Sequence, residues 1–334
     1  MKNGLGTECP RDRFCFRITP MKILLTGATG NVGGHVLPLL LERGHDIRCL
    51  VFDSKNERKI VNAWKRKPEV VWGDIQDERA VESAVAGVEA VIHLAAIIPP
   101  MTDQNPKLAY GVNVNGTRNL VNAAGKQPKR VRFIFTSTYD VYGDTQAQTP
   151  PRKVTLSVNP QEEYARHKVE AEKIIQSGNV DWCIFRLASA IPAEMSMKYQ
   201  SMMFDVPLSD RLEYIHPADA ALGICNAVEH ADVWGKLMHL GGGPRCQLYE
   251  RDVVQGAFEA LGIGALPEKY FSTQSYYTDW LDSEESQRLL NYQRYTFADH
   301  VEGMKKALGW QVYAIRLFRP LIRYFLVRQS PYRK

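Results

Sequence analysis

Long apolar runs are absent from this chain of 334 residues, and none approaches the roughly 18 residues that cross a bilayer. The first 20 residues also lack the continuous apolar block of a secretory signal. These absences argue against a membrane-spanning or secreted protein, so we expect a cytoplasmic location. With 45% hydrophobic and 24% charged residues, the composition is that of a globular protein with a sizeable core.

Cysteine is scarce and scattered, and no cluster of metal-ligating residues completes a zinc pattern. Cys9 and Cys15 are separated by five residues, but no second pair or histidine cluster accompanies them. We therefore expect no metal. Four of the six cysteines lie in or beside apolar runs, where a thiol acts as a small hydrophobic group: Cys49, Cys183, Cys225 and Cys246.

A net positive charge is also absent from the body of the chain, although the formal net charge of the whole chain is +5. Residues 1–20 contribute +2 and residues 305–334 contribute +8, so the remainder carries −5. A nucleic-acid groove requires basic residues on the body, and we therefore expect no nucleic-acid partner.

The first regular segment follows Met21, where "KILLTGATGNVGGHVLPLLLERGHDIRCLVF" contains a strand, a glycine-rich turn, a helix and a second strand. Five more strand-like runs follow, mostly with helical patterns between them: 69–73, 90–96, 131–138, 180–188 and 236–240. Strands alternating with helices predict an α/β protein of the Rossmann type, with a doubly wound parallel sheet.

The pattern divides the chain into four regions. We expect a disordered extension, or an upstream reading of the start site, at 1–20, followed by a dinucleotide-binding domain at 21–186. A substrate-binding region at 187–310 is intergrown with the last sheet strand, and a basic amphipathic tail occupies 311–334.

The glycines of "TGATGNVG" lie directly between the first strand and the first helix, the context that distinguishes a dinucleotide site from an ordinary turn. One glycine permits the tight turn, one lets the backbone approach a pyrophosphate, and one allows close helix packing. No Gly-Lys-Ser/Thr follows, which excludes a P-loop. The predicted cofactor contacts are Gly27, Thr29, Gly30, Asn31, Val32 and Gly33.

The end of the second strand gives a divided signal about the cofactor. Asp53 can accept the ribose hydroxyls of NAD, although it lies one or two positions later than expected. Lys55 and Arg58 follow and would suit the 2′-phosphate of NADP. Both cofactors remain open, and the acidic residue favours NAD.

Tyr164 and Lys168 in "EEYARHKVEAEKII" stand four residues apart, which places a phenol and an ammonium on one helix face. Taken alone this spacing is weak evidence. A phenol has an ordinary pKa of about 10, too high for a base at neutral pH, and a nearby ammonium and a positive nicotinamide would both lower it.

Four further motifs accompany that pair: "WGDI", "HLAA", "NVNGT" and "STYDVYG". Together with the glycine turn they closely resemble the extended short-chain dehydrogenase/reductase family over residues 22–240. The resemblance implies that Asp74 and Ile75 contact the adenine, that the Ala95 and Ala96 backbone lies along the cofactor, and that Tyr164 and Lys168 are catalytic and also contact the cofactor. It further implies that Thr138 bonds the substrate oxygen and that Asn113 holds a water relay behind Lys168.

Each of these assignments has a structural alternative. Asp74 could cap the turn into a helix at 77–86, and Ala95 and Ala96 could simply be small residues at the end of a buried strand. Asn113 could kink or cap a helix, and His216 fits a cap before Pro217 better than a catalyst.

Departures from the family pattern narrow the chemistry. Dehydratases carry Asp-Glu after the catalytic Thr, whereas Tyr139 and Asp140 stand here, so dehydration is disfavoured. Methionines at 195–203 and Phe204 indicate a short apolar substrate pocket, or plain packing. We expect an NAD(P)-dependent oxidoreductase acting on a secondary alcohol or ketone; the alternatives are a nucleotide-sugar epimerase with tightly bound NAD and a non-catalytic dinucleotide sensor or assembly subunit.

Two partner expectations complete the analysis. By the same resemblance, helices at about 107–125 and 161–177 would pair with their symmetry mates in a homodimer. The tail "AIRLFRPLIRYFLVRQSPYRK" has no acidic residue and mixes arginine with apolar side chains. It is either a terminal helix docked on the substrate region or a peripheral membrane contact.

Overall fold

The computed structural model describes residues 19–192 and 202–333. The expectation of an N-terminal extension concerns residues that lie almost entirely outside these ranges. Met195 and Met197 also lie outside them, and so does the side chain of Met202.

Nine strands are present in the described residues, and their order along the chain follows the predicted alternation with helices. They are β1 Lys22–Thr26, β2 Asp46–Val51, β3 Glu69–Trp72, β4 Ala90–His93, β5 Arg132–Thr138, β6 Asp181–Leu187, β7 Arg211–Glu213, β8 Lys236–Leu240 and β9 Gln247–Tyr249.

The helices of the described residues fill the intervals between the strands and most of the chain after β9. They are α1 Gly33–Glu42, α2 Lys55–Ala63, α3 Glu78–Val85, α4 Met101–Gln104, α5 Pro106–Tyr110, a π-helical turn Gly111–Gly116, α6 Thr117–Gly125, α7 Glu163–Ser177, α8 Pro217–Glu229, α9 Glu250–Ala260, α10 Glu284–Leu290, α11 Phe297–Leu308, α12 Gln311–Leu317 and α13 Arg319–Val327.

Seven strands form one sheet in the order β3-β2-β1-β4-β5-β6-β8, and every neighbouring pair is parallel. The apolar runs that predicted strands buried on both faces account for this arrangement. Helices α1 and α8 pack together on one face, and α3, α6 and α7 pack on the other. The predicted doubly wound α/β fold is confirmed.

The chain order of the strands reverses between β1 and β4, which are neighbours in the sheet. Open parallel sheets bind ligands outside the carboxyl ends of their strands at such a reversal. Thr26, His93, Thr138 and Leu187 end β1, β4, β5 and β6 at this edge. The fold therefore brings the glycine turn and the "STYDVYG" segment to one side of the molecule.

The region after β6 covers this edge of the sheet. Antiparallel β7 and β9 lie there with α9 and α11. A buried ion pair between Arg152 and Asp279, with nitrogen and oxygen 2.8 Å apart, joins the segment after β5 to this region. His216 caps α8 by accepting a hydrogen bond from the Ala218 N–H, as the sequence predicted.

The tail docks on this region through only part of its apolar surface. Leu326 is buried, and Ile315 and Ile322 pack beside it against α9 and neighbouring residues. Helical spacing beyond Pro320 predicts that Leu321, Ile322, Phe325 and Leu326 share one apolar face, but Leu321 and Phe325 point outward and are more than half exposed. Within the described ranges, no helix has the length and apolar character that a bilayer span requires.

Candidate active site

The glycine turn follows β1 directly, and its backbone explains two of the three glycines. Gly27 has a φ of +75°, a conformation that side chains disfavour. A Cβ on Gly33 would lie 1.9 Å from the Gly27 carbonyl oxygen, so α1 can begin against the turn only with glycine there. These are the predicted roles in tight turning and close packing.

The middle glycine faces open space. Gly30 is exposed, and a Cβ there would meet only the Gly27 carbonyl oxygen, at 3.3 Å. The backbone at this point and the N-terminus of α1 are therefore accessible to a phosphate group. Next to it, Asn31 donates a hydrogen bond of 2.9 Å to the Ala190 carbonyl, which ties the turn to the loop after β6. The cradle fits a dinucleotide, with Thr29 and Val32 half-buried beside it.

The end of β2 carries Asp53 in a surface ion pair. Its carboxylate accepts two hydrogen bonds from Arg58, at 2.6 and 2.7 Å, and the guanidinium also lies over the Trp72 ring. The Arg58 hydrogen bond lowers the pKa of Asp53, so the carboxylate is ionised at neutral pH. The two residues that gave opposite cofactor signals therefore neutralise one another. A ribose contact for Asp53 remains a prediction.

The adenine-side residues have structural roles of their own. Asp74 accepts a hydrogen bond from the Gln76 N–H at 2.9 Å, whereas Asp77 is the residue that caps α3. Ile75 is buried and packs into the core beside Gly116. The Ala95 N–H donates a hydrogen bond of 3.3 Å to the Thr26 hydroxyl, which fixes the backbone after β4. Ala96 is half-buried after the strand, and contact of these residues with a cofactor remains a prediction.

The two residues of the predicted catalytic pair lie on α7, which packs against the end of β5. The Lys168 ammonium donates to the Thr136 carbonyl at 2.7 Å and lies 4.5 Å from the centre of the Phe135 ring. It stands 5.6 Å from the centre of the Tyr164 ring. Lys168 is buried, whereas Tyr164 is half-buried. The spacing of four residues therefore brings the phenol and the ammonium together, as predicted.

Without a bound cofactor, burial is the main influence on the pKa values of both members of this pair. Burial, followed by the negative charges of Asp140 and Glu162, raises the pKa of Tyr164 above its ordinary value. Burial lowers the pKa of Lys168 to about 7. In this state burial and the two carboxyl groups dominate the pKa of Tyr164, and the lowering expected from Lys168 together with a bound nicotinamide remains a prediction.

The predicted substrate-bonding residue, Thr138, ends β5 and already has a partner. Its hydroxyl donates to Asp140 at 2.8 Å, and it accepts the Asp140 N–H at 3.4 Å. To donate to a substrate, the hydroxyl must rotate away from Asp140. Burial raises the pKa of Asp140 to about 6, and that of nearby Glu162 to about 8. Two carboxyl groups with raised pKa values therefore act on the phenol.

Asn113 occupies the π-helical turn before α6. Its amide accepts from the Ile97 N–H and donates to the Ile97 carbonyl, each at 2.8 Å. Both ends of the side chain thus hold the segment after β4, and the "NVNGT" motif marks a helical irregularity, as the structural alternative proposed. A water relay behind Lys168 remains a prediction.

Sequence reasoning missed His93, which ends β4 inside the fold. One ring nitrogen lies 2.7 Å from the Thr26 hydroxyl and the other 3.0 Å from the Thr117 hydroxyl. Burial and Lys168 lower the pKa of His93 to about 3, so the ring is neutral. It ties β1, β4 and α6 together beneath the site. One feature of the sequence could have indicated His93: it is the polar residue inside the otherwise apolar run "AVIHLAA".

A cavity of about 300 Å³ lies beyond Tyr139, the residue that follows Thr138. The loop after β6, β7, α9 and α11 enclose it, and most of its lining is apolar, including Ile191, Met203, Val206, Leu212, Val254 and Phe258. The predicted short apolar pocket therefore has a counterpart in the described residues. Phe204, however, is fully buried in the neighbouring core and does not line the cavity.

Three polar side chains in the cavity wall were not anticipated: Glu250, Thr278 and His300. Each is less than 6% exposed. They come from segments far apart in sequence, and no local pattern marks them. In the described parts of the chain, no group of three or more histidines, cysteines, aspartates or glutamates is arranged to hold a metal ion.

Comparison with known proteins places this geometry in a family. A 3-beta-hydroxysteroid dehydrogenase from Mycolicibacterium neoaurum is 33% identical over 166 residues, which cover 47% of this chain and 43% of the relative. A UDP-glucose 4-epimerase from Klebsiella pneumoniae is 34% identical over 131 residues, covering 37% of this chain and 94% of the relative. The chain spans less than half the length of the steroid dehydrogenase that it matches.

A solved structure of a short-chain dehydrogenase/reductase superfamily protein from Agrobacterium tumefaciens, with bound NAD, has the same fold. The TM-score is 0.71 at 19% identity, over 90% of this chain and 99% of that one. The model of the NAD dependent epimerase/dehydratase family matches residues 23–238, which include the glycine turn and the Tyr164–Lys168 pair. The chain belongs to this family of the extended short-chain dehydrogenase/reductases.

Proposed function

We propose that this protein is an NAD-dependent dehydrogenase or reductase that interconverts a secondary alcohol and a ketone on a largely apolar substrate. The observation that carries the proposal is that the Tyr164–Lys168 pair packs against the end of β5, while Tyr139, the residue directly after Thr138, lines an apolar cavity. NAD is the cofactor that the family description favours, and NADP is the alternative that Lys55 and Arg58 leave open.

The residues present fit the cofactor. Gly27, Gly30 and Gly33 form the cradle for the pyrophosphate at the start of α1. Asp53 and Asp74 would hold the adenosine half, and Lys168 would hold the nicotinamide ribose. When bound, the nicotinamide supplies or accepts the hydride.

Proton transfer falls to Tyr164. In ketone reduction its hydroxyl gives a proton to the substrate oxygen, and in alcohol oxidation it takes one. Burial keeps the phenol protonated in the ligand-free site, which is the form required for the first role. Thr138 would orient the substrate oxygen once its hydroxyl leaves Asp140.

Nucleotide-sugar epimerisation is the alternative, and the cavity argues against it. A nucleoside diphosphate sugar carries two phosphate charges, yet the described lining of the cavity contains no lysine or arginine. It contains Glu250 instead. A non-catalytic role is the alternative of a different class, and the presence of both Tyr164 and Lys168 argues against it.

The test is a spectrophotometric screen of NADH and NADPH with hydrophobic cyclic ketones, run beside the same enzyme with UDP-glucose. We expect oxidation of the reduced cofactor with ketones and no epimerised sugar. Stoichiometric NAD retained through purification, together with sugar epimerisation, would favour the epimerase. Cofactor binding without either reaction would favour the non-catalytic role.

We further propose that the C-terminal helices rest on an anionic membrane surface. Seven large side chains on and beside α12 and α13 are more than half exposed: Trp310, Tyr313, Leu317, Phe318, Leu321, Tyr324 and Phe325. We call them the outer tail face. Arg316, Arg319 and Arg328 are exposed on the same helices, and no acidic residue follows Glu302. Apolar side chains bordered by cations match an anionic headgroup layer.

Co-sedimentation with phosphatidylcholine vesicles, with and without phosphatidylglycerol, tests this contact. We expect the full chain to pellet only with the anionic vesicles. Leu317→Asn combined with Phe325→Asn should return it to the supernatant, since both side chains point away from the core. Ile322→Val is the matched control on the docked side. Equal recovery of the full chain and all variants in the supernatant would refute the membrane contact and show that the tail only packs on the protein.

We also propose a homodimer through α5, α6 and α7, with their symmetry mates forming an isologous interface. Leu108 and Tyr110 are exposed at 45% and 39% beside α7. Light scattering at micromolar concentration should give twice the chain mass, and Leu108→Glu should halve it. A monomer mass for the unmodified chain would refute the dimer.

A further inference from the structure

The apolar cavity contains more hydrogen-bonding capacity than hydride transfer requires. The Glu250 Oε2, Thr278 Oγ1 and His300 Nε2 atoms are buried and have no hydrogen-bond partner in the described part of the chain. All three side chains line the cavity, and they are 5%, 3% and 4% exposed. They are separate from the Tyr164, Lys168 and Thr138 group that would act on the reacting oxygen.

Buried polar atoms without partners destabilise a folded protein, and most native polar groups are paired. Three such atoms in the wall of one cavity are therefore unusual. Their positions differ from those of polar groups that hold the fold. Glu213, also fully buried, accepts hydrogen bonds from the Gly243 and Leu281 N–H groups and from Gln247. The unpaired groups of the cavity would find their partners on a bound ligand.

Two of the three groups are linked in space. Asp210 accepts the Glu250 N–H through its carbonyl and the Tyr276 N–H through its carboxylate. The start of α9 and the irregular segment that leads to Thr278 are thereby held side by side. His300 lies on α11 with its ring against Phe297 and Tyr214. The backbone segments that carry the acid and the hydroxyl thus lie near one another, and both side chains line the cavity.

The charge state of these groups indicates an uncharged ligand. Burial, followed by repulsion from Asp210, raises the pKa of Glu250 to about 8, so the acid is mostly protonated at neutral pH. Burial lowers the pKa of His300 to about 4, so the ring is neutral. A protonated carboxyl group and a hydroxyl can each donate and accept, which suits a hydroxyl or keto oxygen.

With the dehydrogenase activity proposed above as its basis, we propose that the substrate carries a second oxygen at a distance from the reacting carbon, on an otherwise apolar body. Glu250 and Thr278 bind this remote hydroxyl or carbonyl group, and His300 faces the same cavity. The substrate class is therefore a neutral, hydrophobic molecule with two oxygen functions. A site whose buried polar groups require partners rejects a ligand that lacks the remote oxygen.

Two simple probes differ only in the remote oxygen: 4-cyclohexylcyclohexanol and 4,4′-bicyclohexanol. Both have the same two apolar rings; the first has a single secondary alcohol, and the second has an additional hydroxyl on the far ring. Calorimetric binding to the full chain with NADH present, a combination in which an alcohol cannot be oxidised, gives the two dissociation constants without turnover. We expect the diol to bind about tenfold more tightly or better, the factor that one well-placed hydrogen bond supplies.

Thr278→Val removes the hydroxyl with little change of shape, and Thr278→Ser is its matched control. The diol preference should fall to about twofold in the valine variant and persist in the serine variant. Thermal denaturation should show Thr278→Val as stable as the parent or more so, because the change removes an unpaired buried oxygen. Glu250→Leu should lower the same ratio, and Glu250→Gln should keep it, because an amide also donates and accepts.

Equal affinities for the two probes, no binding of either at millimolar concentration, or an unchanged preference in Thr278→Val would each overturn the proposal. The proposed dehydrogenase activity fails separately. It fails if the diol binds with the expected preference but NADH formation from it is absent, or is unaffected by Tyr164→Phe. A binding ratio and a turnover rate thus distinguish the two failures.

Discussion

The phenol of Tyr164 can be removed without disturbing its surroundings, and this makes Tyr164→Phe the sharpest test of the site. The side chain is half-buried, and its hydroxyl makes no hydrogen bond within the described residues. Replacing it by phenylalanine leaves no polar atom unpaired. We expect a melting temperature within about 1 °C of the parent, because surface-like substitutions without lost contacts change stability little.

The catalytic effect should be much larger. A positioned acid–base group contributes a factor of about 10² to 10⁴, which corresponds to about 2.7 to 5.5 kcal/mol of transition-state stabilisation. NAD affinity should change less than about twofold, because the glycine turn and Lys168, rather than the phenol, hold the cofactor in this proposal. The loss should therefore appear in kcat and in kcat/KM together.

The assay is initial-rate absorbance of NADH with a cyclic ketone, with NAD affinity measured by calorimetry. Tyr110→Phe is the matched control, since it also removes one phenolic oxygen. Tyr110 lies on α5, is 39% exposed and donates a hydrogen bond to Glu170 of α7, the helix that carries Tyr164. The control should keep parental kcat. Turnover of Tyr164→Phe within tenfold of the parent would refute the role of this phenol as the acid–base group.

Three further predictions follow from the geometry. Gly33→Ala places a Cβ 1.9 Å from the Gly27 carbonyl oxygen, so NAD binding and melting temperature should both fall, whereas Gly34→Ala, whose Cβ meets nothing within 4 Å, should preserve both. Asp140→Asn removes a charge that raises the pKa of Tyr164, so the acidic limb of the pH–rate profile for alcohol oxidation should move to lower pH; an unmoved limb would contradict that coupling. Glu250 has a folded pKa of about 8 against an ordinary 4.5, so its stabilising contribution is complete below pH 4.5 and is lost as pH rises to 8. The free energy of unfolding, measured by denaturant titration, should fall less steeply over that window in Glu250→Gln, and parallel curves would show that Glu250 ionises normally.

Local patterns were sufficient for the parts of the fold whose causes are local. The run from Met21 to Phe52 predicted β1, the glycine turn, α1 and β2, because strand and helix periodicities differ and glycine marks the turn between them. The spacing of Tyr164 and Lys168 predicted one helix face, and in the structure both side chains lie there. The cap at His216 was also readable, since a cap depends only on residues within one turn.

The pKa values of the site residues could not be predicted from local sequence patterns in the same way. The sequence showed an ammonium four residues from a phenol, but not that Asp140 and Glu162 would lie near that phenol or that both groups would be desolvated. A pKa depends on burial and on the charges of every packed element. The orientation of the tail residues has the same origin, because Ile322 turns inward and Leu321 outward only when the core beneath them is in place.

By itself the sequence determined the alternation of strands and helices, the glycine turn and the helix that carries Tyr164 and Lys168, since each of these depends on residues close together in the chain. Only the tertiary structure brought Glu250, Thr278 and His300 into the wall of one cavity. These residues belong to three segments separated by 22 to 50 positions, and none matches a motif. Their proximity arises because the region after β6 folds back over the strand ends, a long-range packing that no local periodicity records.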